Sequence, residues 1–159
     1  MAQSRKTAGG PKSGGPGAAL WRAANLWRRR QRAALEGYGV TPSQFLLLQG
    51  LADSGARQAV TQAGLAQHCG ADVMMTSQLV RELERLGLVR REAHPSDSRA
   101  LALALTTRGR QRLDRAAPAI VAAEQAFFGA LGADLEAFAG ALRLLGGEKP
   151  RRRVGAGVR

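Results

Sequence analysis

Residues 65–92 of the chain read LAQHCGADVMMTSQLVRELERLGLVRRE, and after a single alanine residues 94–100 read HPSDSRA. The spacing predicts two short helices with a turn between them. The first carries Leu65 and Ala66, and Gly70 falls where the chain must turn. Asp72 has the short acceptor side chain that caps a helix start. Met75, Leu79, Leu83 and Leu86 then recur at steps of four, four and three, one face of a helix. Gly87 stands just past its end, where a left-handed residue closes a helix. Two short helices joined by a glycine-containing turn form a helix-turn-helix.

The next residues extend the motif. LVRRE (88–92) and LALALT (101–106) are predicted strands, with Leu101, Leu103 and Leu105 alternating onto one face. HPSDSRA becomes the loop of a β-hairpin, longer than the Asn-Gly or Asp-Gly pair of a tight turn. A helix-turn-helix followed by such a hairpin is a winged helix. Working outward, Leu20, Ala24, Trp27, Gln31 and Leu35 mark an amphipathic helix from residue 18 to about 36. Thr41-Pro42 starts another, with threonine as cap and proline in the first turn. FLLLQGLA (45–52) makes that helix central and buried. Thr106 caps a long helix over about 107–130, bent by Pro118. Leu135, Phe138, Leu142 and Leu145 stripe a last one. The expected class is mainly α with a small β-hairpin wing. The helix-turn-helix falls at about 61–87 and the wing at about 88–105, between terminal helices at about 18–36 and 107–147.

The chain has 159 residues, enough for one domain with tails. Its 24 Lys+Arg against 12 Asp+Glu give a formal net charge of +12, which favours an anionic partner such as nucleic acid or anionic lipid. Residues 1–12 carry +3 of this and residues 148–159 carry +4, leaving +5 for the middle. Residues 1–17, MAQSRKTAGGPKSGGPG, are rich in Gly, Pro and Ser and are expected to form a disordered basic arm. Residues 148–159 are expected to form a second. GGPKSGG fails the phosphate-loop pattern, because proline precedes Lys12 and no strand precedes the run. The single cysteine, Cys69, excludes an intrachain disulfide and points to a reducing compartment. No secretory signal is read at the start, and the uninterrupted apolar stretches fall far short of the ~20 residues a bilayer demands. The expectation is a soluble protein of the cytoplasm with no membrane partner.

In this order of parts the sequence resembles the MarR family of bacterial transcription regulators over about residues 18–147. The pieces that carry the resemblance are LAQHCGADVMMTSQLVRELERLGLVRRE and HPSDSRALALALTTRG. Most specific is Asp97-x-Arg99-Ala100 followed by Leu105-Thr106-x-x-Gly109. The resemblance implies a homodimer whose terminal helices interlock as dimerisation helices. It implies a recognition helix in each major groove of a pseudo-palindromic operator and a wing in the flanking minor groove. It often implies a small-molecule effector, here of unknown identity, or an oxidant that releases the DNA. Three departures stand out: Cys69 replaces an aliphatic residue, Val73-Met74-Met75 make the recognition helix start unusually apolar, and residues 1–17 and 148–159 lie outside the family pattern.

With Met75, Thr76, Leu79, Val80, Leu83 and Leu86 facing the domain, Val73, Met74, Ser77, Gln78 and Arg81 face out. Gln78 suits adenine, and Val73 or Met74 a thymine methyl. Ser77 and Arg81 suit bases or phosphates. Ordinary apolar packing is an equal reading of Met74, and a solvated helix face is the bland reading of Gln78 and Arg81. In the wing, Arg99 suits a narrow minor groove. Asp97 would hold its guanidinium by a bidentate pair, Pro95 stiffens the loop, and His94 lies near the sugar-phosphate backbone. Outside such a wing, an Asp-x-Arg pair is a surface ion pair. Arg90, Arg91, Arg108, Arg110 and Arg112 add phosphate contacts. His68-Cys69 offers two ligands where a zinc site takes four, so no metal or cofactor is expected. Cys69 is read as a small buried hydrophobe with an unreactive thiol. Trp21, Trp27, Tyr38 and Phe45 could line a ligand cleft, with core or dimer packing the preferred reading.

Two histidines, one cysteine and scattered carboxylates show no nucleophile–base spacing, which speaks against an enzyme. The leading reading is a sequence-specific regulator of transcription acting as a repressor. The competing class is a sequence-tolerant DNA-coating or architectural protein working through its basic tails.

Overall fold

The computed structural model describes residues 14–55 and 59–147. In chain order stand α1 (Pro16–Ala34), α2 (Pro42–Gly55), β1 (Val60–Thr61), α3 (Gln62–His68), α4 (Val73–Arg85), β2 (Val89–His94), β3 (Asp97–Leu105), α5 (Thr107–Phe128) and α6 (Leu135–Leu145). A 3-10 segment, Gly129–Asp134, links the last two. The class is the expected one, mainly α with a small antiparallel wing. Of the two basic arms, 1–13 and 148–159 lie outside the described residues. α1 begins at Pro16, two residues earlier than expected, because proline suits a first helical turn.

Local chemistry sets each helix start. Thr41 and Gln44 form a reciprocal cap on α2: the Gln44 N–H donates to Thr41 Oγ1 (3.2 Å), and the Thr41 N–H donates to Gln44 Oε1 (2.9 Å). Thr61 caps α3 by accepting from the Gly64 N–H at 3.1 Å. Asp72 Oδ1 caps α4 by accepting from the Met75 N–H at 2.9 Å. Gly70, in the turn between α3 and α4, takes φ +59, and Gly87 after α4 takes φ +68. Both are left-handed positions where a Cβ would be strained. As expected, α2 is central. Phe45, Leu47, Leu48 and Leu51 are buried against Leu65 of α3, Val80 and Leu83 of α4, Leu103 of β3, and Leu113 and Ile120 of α5.

The wing differs from expectation in two ways. β3 pairs with β2 on one side and with the two-residue β1 on the other, so the hairpin becomes a three-stranded sheet in the order β1-β3-β2. Val60 pairs with Leu103 and Thr61 with Ala102. A two-residue strand is too short for periodicity to reveal. The HPSDSRA loop is also mostly strand. Only Pro95 and Ser96 connect β2 to β3, and His94 pairs with Asp97. The next pair is Ala93 with Leu101, so Ser98, Arg99 and Ala100 are extra residues on β3 at a bulge. Leu103 is buried and Leu105 half-buried, but Leu101 beside the bulge is exposed.

The base of the wing is bolted to α5. The Thr106 N–H donates to the Leu88 carbonyl at 3.1 Å. The Thr106 hydroxyl donates to the Gly87 carbonyl at 2.7 Å and accepts from the Gly109 N–H at 3.0 Å. Any Cβ on Gly109 would run into the Leu88 carbonyl. α5 continues for 22 residues through Pro118.

The terminal helices meet in an aromatic cluster. Trp27 of α1 lies 5.3 and 5.4 Å (ring centroids) from Phe127 and Phe128 of α5, and Phe128 lies 6.2 Å from Phe138 of α6. Beyond it, Leu20, Trp21 and Leu26 of α1, Val121 of α5 and Leu135, Leu142, Leu144 and Leu145 of α6 are exposed. Residues 107–145 contain an 18-residue window of mean hydropathy 1.3, long and apolar enough by length and composition alone to cross a membrane, and 11% of it is buried in one chain. Counting uninterrupted apolar residues misses such a window. Gly132 (φ 51) breaks the run into two helices.

The contact at Gly109 gives a quantitative expectation. In an open helix, Gly→Ala stabilises by about 1 kcal/mol. Here the obstruction is a backbone carbonyl that already accepts from Thr106, so overpacking of about 1–3 kcal/mol should dominate. Urea unfolding of Gly109→Ala should show a lower midpoint than wild type. A raised midpoint would show that the wing base yields freely.

Candidate nucleic-acid interface

α4 buries Thr76, Val80 and Leu83 and turns its opposite side outward. The Thr76 hydroxyl, fully buried, donates to the Asp72 carbonyl at 2.8 Å. Of the predicted outward residues, Met74 is 73% exposed and Val73 53%; Gln78 and Arg81 are also exposed, and Ser77 is half-buried. Met75 is a correction. It was placed on the inner face but is 44% exposed. It lies in the first turn of α4, before Thr76, Val80 and Leu83, the residues by which the helix packs on the domain. Val73, Met74 and Met75 therefore make one apolar tip.

The arginines divide by partner. The Arg91 Nε donates to both oxygens of Glu84 (3.0 and 3.1 Å), tying β2 to α4, and Nη2 reaches Gln62 Oε1 at 3.5 Å. Arg90 donates to the Leu105 carbonyl (3.0 Å) and pairs with Glu92 (2.9 Å). These two brace the wing as well as adding positive charge. Arg112, offered as a phosphate contact, is instead half-buried and donates to the Tyr38 carbonyl. Arg108 and Arg110 are exposed near the wing base. Among the described residues, the exposed Arg81 of α4 and Arg99 of β3 form no salt bridge, and neither do the exposed Arg85, Arg108 and Arg110.

The expected Asp97–Arg99 ion pair is replaced by another contact. Asp97 Oδ1 accepts from the Arg99 backbone N–H at 3.0 Å. Two residues apart at a bulge, the carboxylate meets the amide before it can meet the long side chain, forming an Asx turn. His94 Nδ1 lies 3.3 Å from Ser96 Oγ, so the ring secures the Pro95-Ser96 tip. Asp97 shapes the bulge that carries Arg99, whose guanidinium has no hydrogen-bond or salt-bridge partner among the described residues.

Cys69 is half-buried. Its thiol donates to the Leu46 carbonyl at 3.8 Å, and a Cβ on Gly50 would lie 2.6 Å from Sγ. Burial pushes the Cys69 thiol pKa up, and the Asp53 carboxylate adds to the rise. The group is held as thiol, the unreactive form.

The four aromatics proposed for a cleft do not share one. Phe45 is core, and Tyr38 is half-buried against it. Trp27 belongs to the aromatic cluster, and Trp21 is 70% exposed. A concavity of about 800 Å³ opens elsewhere, between the end of α1 and the start of α2, with Arg28, Arg29, Arg32 and Gln44 in its wall. Sequence reading missed Gln44, whose signal was the TPSQ capping pattern. It is only 7% exposed, and its Nε2 donates to Glu82 Oε2 on α4 at 3.0 Å.

A helix-turn-helix with an exposed second helix, followed by a wing carrying an unpaired arginine, defines a winged-helix DNA-binding protein. The family model for the MarR family matches residues 38–100. The HTH-type transcriptional regulator YdcH of Bacillus subtilis (strain 168) is 37% identical over 116 residues, covering 72% of this chain and 79% of YdcH. CouR from Rhodococcus jostii RHA1, solved with p-coumaroyl-CoA, is 27% identical with a TM-score of 0.77, over 87% of this chain and 96% of that one. The transcriptional repressor CouR bound to a 23-mer DNA duplex gives 29% identity and a TM-score of 0.72, over 82% of this chain and 91% of that one. The chain belongs to the MarR family and is a transcriptional regulator.

If Asp97 acts through the Arg99 amide, the acceptor matters and the charge does not. Asp97→Asn keeps an acceptor oxygen and should bind duplex DNA within about twofold of wild type. Asp97→Ala leaves the bulge uncapped and should bind several-fold more weakly, the equivalent of about 1 kcal/mol for an exposed hydrogen bond. Fluorescence anisotropy on one duplex at fixed salt separates the two. Equal loss in both variants would restore the ion-pair reading.

Proposed function

We propose that the chain works as a homodimer that binds a pseudo-palindromic operator and represses transcription from it. Each α4 enters a major groove and each wing places Arg99 in the adjoining minor groove. The observation that carries this reading is the pairing of an outward α4 face with the unengaged Arg99 guanidinium on the β3 bulge. The exposed apolar residues of α1, α5 and α6 support the dimer, since a contiguous patch of that kind calls for a partner. A second chain suits it better than a bilayer, because the run is broken at Gly132 and shares its helices with a charged face. The repressor assignment leans on CouR, itself a transcriptional repressor. The residues proposed to touch DNA are Val73, Met74, Ser77, Gln78, Arg81, His94 and Arg99, with Asp97, Arg90 and Arg91 holding the wing in shape.

A small-molecule effector is part of the proposal. CouR holds p-coumaroyl-CoA, and the three arginines around the α1–α2 concavity suit an anionic compound. Gln44 stands in that wall and is bonded to Glu82 of α4, so a ligand that draws its amide away loosens the recognition helix.

The test is selection of sites from a random duplex pool, followed by footprinting. Half-sites about 10 bp apart on one face of the duplex are expected, with a solution mass of two chains. Arg99→Ala should stay folded and lose about 1.5–3 kcal/mol per wing, tenfold or more in affinity. A single-chain mass at micromolar concentration, or a footprint without two-fold symmetry, would contradict the proposal. Equal affinity for selected and random duplex would favour the DNA-coating reading.

A further inference from the structure

We propose that the recognition helix selects its site chiefly through the C5 methyl groups of thymines, gripped by Val73, Met74 and Met75. The inference rests on the DNA-binding reading above and specifies what is read. These three side chains form the first turn of α4 and are 53%, 73% and 44% exposed among the described residues. The same turn lacks the means for the commoner contacts. No Lys or Arg occurs from residue 58 to residue 80. The first guanidinium on α4, Arg81, sits eight residues after Val73, about 12 Å along the axis. Bidentate reading of guanine is therefore unavailable at the tip. Asp72 occupies the Met75 N–H and sets a carboxylate at the helix start, so the end does not attract phosphate.

An apolar tip that carries no cation has one matching apolar feature in a major groove. Bases present donors and acceptors there, and thymine alone adds a methyl group. Thioether side chains are flexible and polarisable, so two methionines can settle around a methyl without strict geometry. Valine supplies a stiff third wall. Positive charge from Arg81 and from Arg99 on the wing holds the duplex on either side, leaving the tip to discriminate.

The experiment compares thymine with deoxyuridine, which differs only by that methyl. The full-length protein first selects its site from a random duplex pool. Each thymine of the site is then replaced singly by deoxyuridine, and affinity is measured at one salt concentration. At least one position per half-site should lose about fourfold, the worth of one buried methyl. Met74→Ala and Met75→Ala, checked for folding by circular dichroism, should bind more weakly and show a thymine-to-deoxyuridine ratio near one. Arg81→Ala should weaken binding while leaving that ratio as in wild type. If a site is enriched but wild type binds every deoxyuridine duplex as tightly, the methyl reading is overturned and the regulator reading stands. If the methionine variants retain the full ratio, other residues read the methyl and the assignment fails. That last result would leave the apolar tip to a protein partner. If no sequence is enriched at all, both readings fail together.

Discussion

The geometry of the DNA-facing surface depends on one contact, the closure of the wing base on α5. Thr106 bonds Gly87 and Leu88 at the start of the wing and Gly109 in the first turn of α5. One threonine thus joins the exit from α4, the exit from β3 and the entry to α5. The close approach of Gly109 to the Leu88 carbonyl leaves no room for slippage. A hairpin attached by its ends alone would sweep through a wide arc, and Arg99 with it. Bolted at its base and paired on its far side with β1, the wing keeps a fixed distance from α4. α4 and the wing are both joined at this point to α5, the helix that also contributes to the exposed apolar face.

Charge is distributed so that shape and attraction use different arginines. Arg90, Arg91 and Arg112 are engaged with the protein's own acceptors, where their planar donors stitch β2 to α4, β2 to β3, and α5 to the loop before α2. Arg81 and Arg99 keep their guanidinium groups outward. Partly exposed ion pairs contribute little to stability, on the order of 0–1 kcal/mol. The value of Glu84 and Glu92 here lies in orienting strands. Glu92 and Glu84 engage Arg90 and Arg91, and no acid among the described residues engages Arg81 or Arg99.

Long periodic features were legible in the sequence and short geometric ones were not. The helix-turn-helix with its Asp72 cap and Gly87 terminus, the Thr41-Pro42 start of α2 and the alternation of Leu103 and Leu105 all follow from local chemistry. The exact course of the hairpin does not. HPSDSRA contains turn-forming residues throughout, and only pairing with β2 shows that two of them turn and three bulge. Asp97 looked like a partner for the Arg99 side chain, because sequence gives proximity without direction. Met75 looked buried, because a heptad-like stripe ignores where the neighbouring helix stops. β1, two residues long, exists because β3 offers it an edge. Arg112 and Gln44 take their roles from residues 74 and 38 positions away, a range that no local pattern reports.

Gln44 shows how a few bonds can tie distant surfaces. Its side chain serves three ends at once: it completes the cap of α2, it stands in the wall of the arginine-lined concavity, and it holds Glu82 of α4. A buried amide with both ends satisfied resists displacement, because each lost partner leaves a desolvated group costing about 1–3 kcal/mol. The helix carrying Glu82 is the one that presents Val73, Met74 and Met75. α4 is therefore held from three sides: by Gln44 at Glu82, by Arg91 at Glu84, and by the core through Val80 and Leu83. The core contact and the buried Gln44 bond fix the helix along its middle, and Arg91 at Glu84 fixes its last turn to β2.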